Sequence, residues 1–288
     1  MHESFRQLSV AASAVGIMAA VVAWPHAAAG QNIMRQPGAV YDVDVKGEKP
    51  AAAPRRDMSG IWEPAASANA AVNADGVRPI SPDGKREPEL PFTAEGRAAF
   101  LANKPTRGPT AVPVTETNDP FQRCDPQGFP RIALHNFRTS RILQTPENVV
   151  ILYLYNRKWR VVWTDGRALP AQVQDPRWWG YSVGRWEDDY TFVVESTGFD
   201  TRAWLDNGGH PYSDAMRVVE RYRRVDRDHL EMTVVIDDRK FYTKPWTAQI
   251  LRLRLQSAKF DIPENECVPS EMEVYRELFA EQEAGTGR

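Results

Sequence analysis

Eight short runs between residues 139 and 256 constrain this chain more than any other feature. "SRILQT", "NVVILYLY", "KWRVVW", "YSVGRWE", "YTFVVEST", "AMRVVERYRRV", "HLEMTVVI" and "AQILRLRL" are rich in Val, Ile, Tyr, Trp and Leu. Runs of this length and composition read as strands, and the residues between them are turn formers: Pro-Glu-Asn, Asn-Arg, Asp-Asp, Asp-Arg-Asp and Asp-Asp. Several connections are too short for the crossover that parallel neighbours need, so most pairs are expected to be antiparallel hairpins. "LRLRL" alternates cleanly, with an apolar face and a second face carrying Arg252 and Arg254. The fold class that follows is mainly β: an antiparallel up-and-down barrel or a strongly curved sheet, lipocalin-like, with an N-terminal extension and a C-terminal helix.

The 288 residues are 42% hydrophobic and 26% charged, enough for a sizeable core. A formal net charge of -2 offers no basic field for nucleic acid, so no nucleic-acid partner is expected. The first residues read as an export signal. "LSVAASAVGIMAAVVAW" is an apolar run behind Arg6, and "PHAAAG" supplies small residues for cleavage. A spanning helix needs about 20 apolar residues, and nothing after the leader approaches that, so no membrane span is expected once the leader is removed. The expected organisation is a signal peptide over 1–29, a flexible tether over 30–56, and an N-terminal extension with a short helix over 57–138, packed on the barrel. The barrel follows over 139–256, then a tail and helix over 257–288. The expected location is periplasmic or secreted. In that compartment Cys124 and Cys267, which lack C-x-x-C spacing, are expected to form a disulfide.

Outside the barrel, "DMSGIWEP" is either a short first strand or a plug carrying Trp62. "PFTAEGRAAFLANK" carries the clearest helical signal, with Thr93 as cap and Phe92, Ala98 and Leu101 toward one side. "SEMEVYRELFAEQEAG" reads as the C-terminal helix.

Gly180-Tyr181-Ser182-Val183-Gly184 fits the G-x-S-x-G pattern of a nucleophile elbow, but an elbow needs a strand-to-helix turn. Here a strand, a two-carboxylate turn and another strand follow. Ser182 is therefore not expected to be a nucleophile, and the two glycines are expected to let a strand bend or approach another backbone.

The densest polar loop is "GFDTRAWLDNGGHPYSDAMR". It places His210 beside Asp206, an imidazole–carboxylate pair suited to acid–base work. The competing reading is an ordered Ω-loop in which the same groups bond the backbone. "FYTKPWT" adds Tyr242 and Lys244, a pair able to move protons if buried. These four are the expected catalytic residues. Arg167 and Asp165 in "WTDGR", Trp178, Trp179 and Tyr181 in "RWWGY", and Trp204, Tyr212, Trp246 and His135 are the expected substrate-binding residues. The aromatic ones serve equally as core. His229, after an exposed turn, reads as solvated. No dinucleotide fingerprint, Walker loop, zincin helix, haem motif or EF-hand loop occurs, so no cofactor is expected. A metal built from His135, His210 and carboxylates has no spacing argument behind it, and none is expected.

The motifs W-T-D-G-R, W-G-Y-S-V-G-R-W-E, T-G-F-D-x-R-x-W-L-D, G-H-P-Y-S-D-A-x-R-V-x-E-R-Y and Y-T-K-P-W resemble those of a group of exported, β-rich bacterial proteins without an assigned reaction. The resemblance runs from about Ser59 to Tyr275 and includes Cys124-Asp125-Pro126 and Cys267-Val268-Pro269-Ser270-Glu271. It departs at the turn Trp186-Glu187-Asp188-Asp189-Tyr190-Thr191, where the group has W-E-G-D-T-L. It implies an exported β-rich protein and no particular chemistry. The residues themselves favour a cofactor-independent acid–base enzyme, of lyase or isomerase type, acting on a small hydrophobic or aromatic molecule. The alternatives are a lipocalin-like carrier of an apolar ligand and a structural envelope protein.

Overall fold

A computed structural model describes residues 38–65, 76–134, 139–262 and 264–286. The expected signal peptide and His135 lie outside them. Among the described residues no helix is long and apolar enough to cross a membrane.

Nine strands close into a barrel in sequence order. They are β1 (Gly60–Pro64), β2 (Ser140–Gln144), β3 (Asn148–Tyr153), β4 (Trp159–Trp163), β5 (Tyr181–Trp186), β6 (Thr191–Thr197), β7 (Arg217–Arg224), β8 (His229–Asp237) and β9 (Trp246–Leu255). The eight expected runs all become strands, and the ninth is "GIWEP". It is a strand and not a plug: β1 pairs antiparallel with both β2 and β9 and joins the two ends of the sheet.

Nine is an odd number, and a ring whose neighbours strictly alternate in direction must contain an even number of strands. One parallel pair is unavoidable, and it falls between β4 and β5. The connection there is residues 164–180, long enough to return the chain to the end from which β4 started. This pair is also the weakest join. A single bridge, Trp163 opposite Val183, holds it, whereas β7 and β8 are in register from Arg217–Asp237 to Arg224–Leu230.

Alternation decides what enters the lumen. β7 buries Val218, Glu220, Tyr222 and Arg224 and exposes Arg217, Arg221 and Arg223. β4 buries Arg160 and Val162. Gly184 on β5 leaves the space that the Phe192 ring of β6 takes up, so it admits a side chain and not, as expected, another backbone. At one end of the barrel the Arg224 guanidinium lies 4.6 Å from the Trp62 ring centre. It donates to the carbonyls of Asp57, Asp226 and Arg227, so that end is closed by an aromatic and a fully used cation. The β6–β7 and β8–β9 connections lie at the other end, covered by the extension and by α2 (Arg131–Leu134), all four residues of which are buried.

In the extension, α1 (Ala94–Ala102) starts where expected: the Gly96 amide donates to the Thr93 hydroxyl at 3.0 Å. Its buried face is different. Gly96 and Phe100 are buried, while Leu101 is exposed. Gly96 passes so close to the Phe241 backbone that no side chain fits there, and that contact fixes the helix's rotation.

Residues 38–56, expected as part of a flexible tether, run along the closed end and are fastened to it. Val40 exchanges two hydrogen bonds with Gln256, and the Asp42 carboxylate meets His229 Nε2 at 2.8 Å and Arg254 Nη1 at 2.9 Å. The other nitrogen of His229 faces Asp226 at 2.9 Å, so this histidine, expected to be solvated, is buried between two carboxylates. The turn's own Asp226 and the distant Asp42 cover both edges of the ring, a pairing invisible along the sequence.

The expected disulfide joins Cys124 and Cys267 and ties the extension to the segment leading into α3 (Pro269–Thr286). Replacing both cysteines with serine is expected to lower unfolding stability by up to about 4–5 kcal/mol, because the bond restricts a long loop in the unfolded chain. Denaturant titration of the two forms measures it, and equal midpoints would refute it.

Burial opposes ionisation of Asp42, but hydrogen bonds from His229 and Arg254 outweigh it and hold its carboxyl below the usual aspartate range. A depressed carboxyl stabilises above its unfolded value, about 3.9, and that contribution is lost as pH falls through the folded one. Hydrogen exchange below about pH 4 should therefore show the 38–51 arm opening before the strands. Asp42→Asn should open the arm at neutral pH as well.

Candidate functional site

The loop between β6 and β7, residues 198–216, is built around one carboxylate. Asp206 is fully buried. One oxygen accepts from the Gly208 amide at 2.8 Å and the His210 amide at 3.3 Å. The other accepts from the Val77 amide and meets His210 Nδ1 at 2.6 Å. The imidazole is stacked on Phe100 of α1, with centroids 4.9 Å apart and planes within 5°. The expected His210–Asp206 pair is real, and the same carboxylate also organises its own loop and pins the extension to it.

The wider constellation does not assemble. The Tyr242 hydroxyl donates to the Pro211 carbonyl at 2.6 Å, and burial, with Asp206 and Asp238 nearby, pushes its ionisation well above the ordinary tyrosine value. Lys244 is exposed on the β8–β9 connection, so the expected desolvated Tyr–Lys pair does not form. Asp165 and Arg167 sit after β4, at the opposite end of the barrel from the His210 loop. They pair with each other at 2.6 Å, and the hydrogen bond from Arg167 lowers the Asp165 carboxyl. They brace a turn and do not reach His210.

The expected aromatic wall divides into four parts. Trp246 is buried in the core beside Tyr242. Trp204 and Tyr212 border a depression on the outer side of the loop, with Tyr212 donating to the Asp200 carbonyl at 2.6 Å. The Arg202 guanidinium covers Trp178 at 4.5 Å. Trp179 and Tyr181 remain together at the β4–β5 seam.

His210 itself lines a cleft of about 170 Å³ with Val77, Leu90, Phe92 and Phe100. A cleft of about 480 Å³ lies at the seam, between the outward-facing residues of β4 and β5 and the crossover that joins them. Ligand pockets commonly measure about 300–1,000 Å³, so the seam cleft has the volume for a small organic molecule and the His210 cleft does not. Trp159, Trp163, Trp179 and Tyr181 line the seam cleft, and Ala168, Leu169 and Pro170 of the crossover face them. Trp159 is 61% exposed there, a large aromatic surface left to solvent. Arg167 stacks over Trp163 at 3.6 Å and Arg177 over Tyr181 at 4.1 Å. Both were placed near a binding site by the sequence reading or lie beside residues that were, and the cleft brings them to one rim. Ser182 also reaches it, bonded to Ser196 at 2.8 Å in mid-strand and not on an elbow, as expected.

Sequence reasoning missed a polar pair inside the lumen. Arg160 reaches across the lumen from β4 to β7, where Nη2 meets Glu220 at 2.6 Å with both side chains buried. Tyr222 donates to the other Glu220 oxygen at 2.6 Å, and the Phe129 ring lies 3.8 Å from the Arg160 guanidinium carbon. Burial disfavours the charged guanidinium, but the Glu220 carboxylate outweighs it and holds Arg160 protonated. A signal existed: in "KWRVVW" and "RVVERYRR" the alternation puts Arg160 with Val162, and Glu220 with Val218 and Tyr222, on the lumen face.

The structure is a closed β-barrel with a cleft at the β4–β5 seam, a fold compatible with a ligand-binding barrel. Comparison with models of protein families, with curated proteins and with solved structures finds no match to this chain. Among the described residues no group of three or more His, Cys, Asp or Glu side chains is arranged to hold a metal ion.

Asp206→Ala is expected to cost about 3 kcal/mol or more, since it strips buried amide donors of their acceptor. His210→Phe keeps the stack on Phe100 and should cost about 1 kcal/mol. Thermal melts of the two variants test this, and equal losses would make the imidazole, not the carboxylate, the hub of the loop.

Proposed function

We propose that this protein binds a small, mainly aromatic or apolar molecule at the β4–β5 seam and acts as a lipocalin-like binding barrel. One observation carries the reading: a cleft of about 480 Å³ at the β4–β5 seam is walled by Trp159, Trp163, Trp179 and Tyr181. Flat apolar surfaces facing one another favour a flat apolar guest, whose transfer from water supplies the driving force. The disulfide supports action in an oxidising compartment, and with it the exported, β-rich group suggested by the motifs.

A second reading keeps acid–base catalysis at His210, supported by the 2.6 Å contact between Nδ1 and Asp206 at the edge of a cleft. It ranks below the first because Tyr242 is bonded to Pro211, Lys244 is exposed, and the cleft is about 170 Å³. A structural envelope role leaves the aromatic cleft without a purpose.

Titration with the neutral fluorophore N-phenyl-1-naphthylamine tests the choice. Saturable binding is expected, and Trp159→Ala should weaken it about ten-fold without changing the melting temperature. His210→Ala should leave the affinity unchanged. Absence of saturable binding would remove the carrier reading. Loss on His210→Ala with none on Trp159→Ala would move the site to the loop.

A further inference from the structure

The residues lining the seam cleft carry charge of one sign. They include Arg160, Arg167 and Arg177, and neither an aspartate nor a glutamate. Two of the three are committed elsewhere: Arg160 turns into the lumen to Glu220, and Arg167 bonds Asp165 through Nε and Nη2. Arg177 is different. Asp175 approaches its Nε only to 3.8 Å and is itself 80% exposed, so both terminal nitrogens of the guanidinium lack a partner among the described residues.

Backbone geometry brings this side chain to the cleft's wall. Residues 177–180 form a turn closed by the Gly180 amide, which donates to the Arg177 carbonyl at 3.0 Å. Gly180 takes a left-handed φ of 62° there, where a Cβ would meet the Phe199 ring and the Thr197 carbonyl at 2.6 Å. The Arg177 amide donates to the Gly198 carbonyl, and its carbonyl also accepts from the Asp200 amide, both at 3.0 Å. Arg177 is thereby folded back over Tyr181, with its guanidinium carbon 4.1 Å from the ring centre. Its side chain is 56% exposed, on the solvent side of the sheet with the aromatic wall.

Charge decides among three kinds of guest. Aromatic walls also suit a cation, which would sit over a ring face. Here guanidinium groups already stand over Trp163 and Tyr181, and no carboxylate lines the cleft to offset a further positive charge. A neutral acceptor gains less from the open fork than an anion, because only with an anion are both partners charged. The planar fork also matches a carboxylate at two points.

Resting on the binding-barrel reading, we infer that the seam cleft selects an aromatic anion, foremost an aromatic carboxylate, with its ring against the tryptophans and its oxygens on the terminal nitrogens of Arg177. Arg177 is the specificity-determining residue of this site. Arg167, held by Asp165, leaves it as the one uncommitted cation of the lining.

Three naphthalenes separate the possibilities: 2-naphthoate, the neutral 2-acetylnaphthalene and the 2-naphthyltrimethylammonium cation. Calorimetry on the full protein is expected to rank them in that order, with naphthoate binding about five-fold more tightly than the ketone, the upper range for a half-exposed ion pair. At about 1 M NaCl, where the screening length falls to about 3 Å, that ratio should approach one. Arg177→Gln should bring it to about one at low salt. Equal affinity for naphthoate and ketone in the wild-type protein would overturn the anion anchor and leave the binding barrel standing. Tightest binding of the ammonium would overturn it in favour of a cation cage. A preference for naphthoate that survives Arg177→Gln would overturn the assignment to Arg177. If none of the three bound, the binding-barrel reading itself would fall. The wild-type series at two salt concentrations decides the guest's charge even if the variant does not fold.

Discussion

Closure of a ring with an odd number of strands is the constraint from which the most consequential features follow. Nine strands cannot alternate all the way round, so one pair must run parallel, and the chain places that pair at β4–β5. A parallel pair here requires a long return, and residues 164–180 provide it. One bridge joins the pair, and the aromatic cleft lies between their outward-facing residues and that return. A tenth strand would have allowed a ring that alternates at every pair. β1 therefore has an influence beyond its five residues: by joining β2 to β9 it both closes the barrel and makes its strand number odd.

The two ends of the barrel are finished by different physics. At one, Arg224 spends its donors on three carbonyls and lays its charge over Trp62, while the 38–56 arm is held by Asp42 against His229 and Arg254. At the other, Asp206 gathers amides from its own loop and from Val77 around a stacked imidazole. Arg224 bonds through all three of its nitrogens and Asp206 through both of its oxygens, and such partnering is the condition under which burial of a charge is tolerated. Arg160 is the contrast. It has a carboxylate partner, but Nε and Nη1 remain unpartnered.

Much of this fold was legible because period-2 alternation is a local property. The eight runs became strands, Thr93 capped α1, Cys124 found Cys267, and the failure of the G-x-S-x-G elbow was visible from the strand that follows it. The candidate site was legible in fragments. His210 and Asp206 are four residues apart, so their pairing could be read. Tyr242 and Lys244 were near each other in the chain too, yet one turned inward to Pro211 and the other outward to solvent. Arg160 and Glu220 were overlooked because a charge in a strand reads as solvent-facing until the lumen face is known.

Alternation of apolar and polar residues, turn chemistry at the hairpins, and the placement of two cysteines are written along the chain, and they determine by themselves a disulfide-linked, mostly antiparallel sheet, curved or closed. Tertiary structure alone decided the rest. Whether "GIWEP" closed the ring, which neighbours would run parallel, and which end of the barrel each loop would reach depend on pairings between residues far apart in sequence. These choices separated Asp165 and Arg167 from His210, buried His229 between Asp226 and the distant Asp42, and set Arg160 against Glu220 across the lumen. Side-chain direction within a strand follows from its neighbours two residues away, but the partner it meets follows from the closure of the whole sheet.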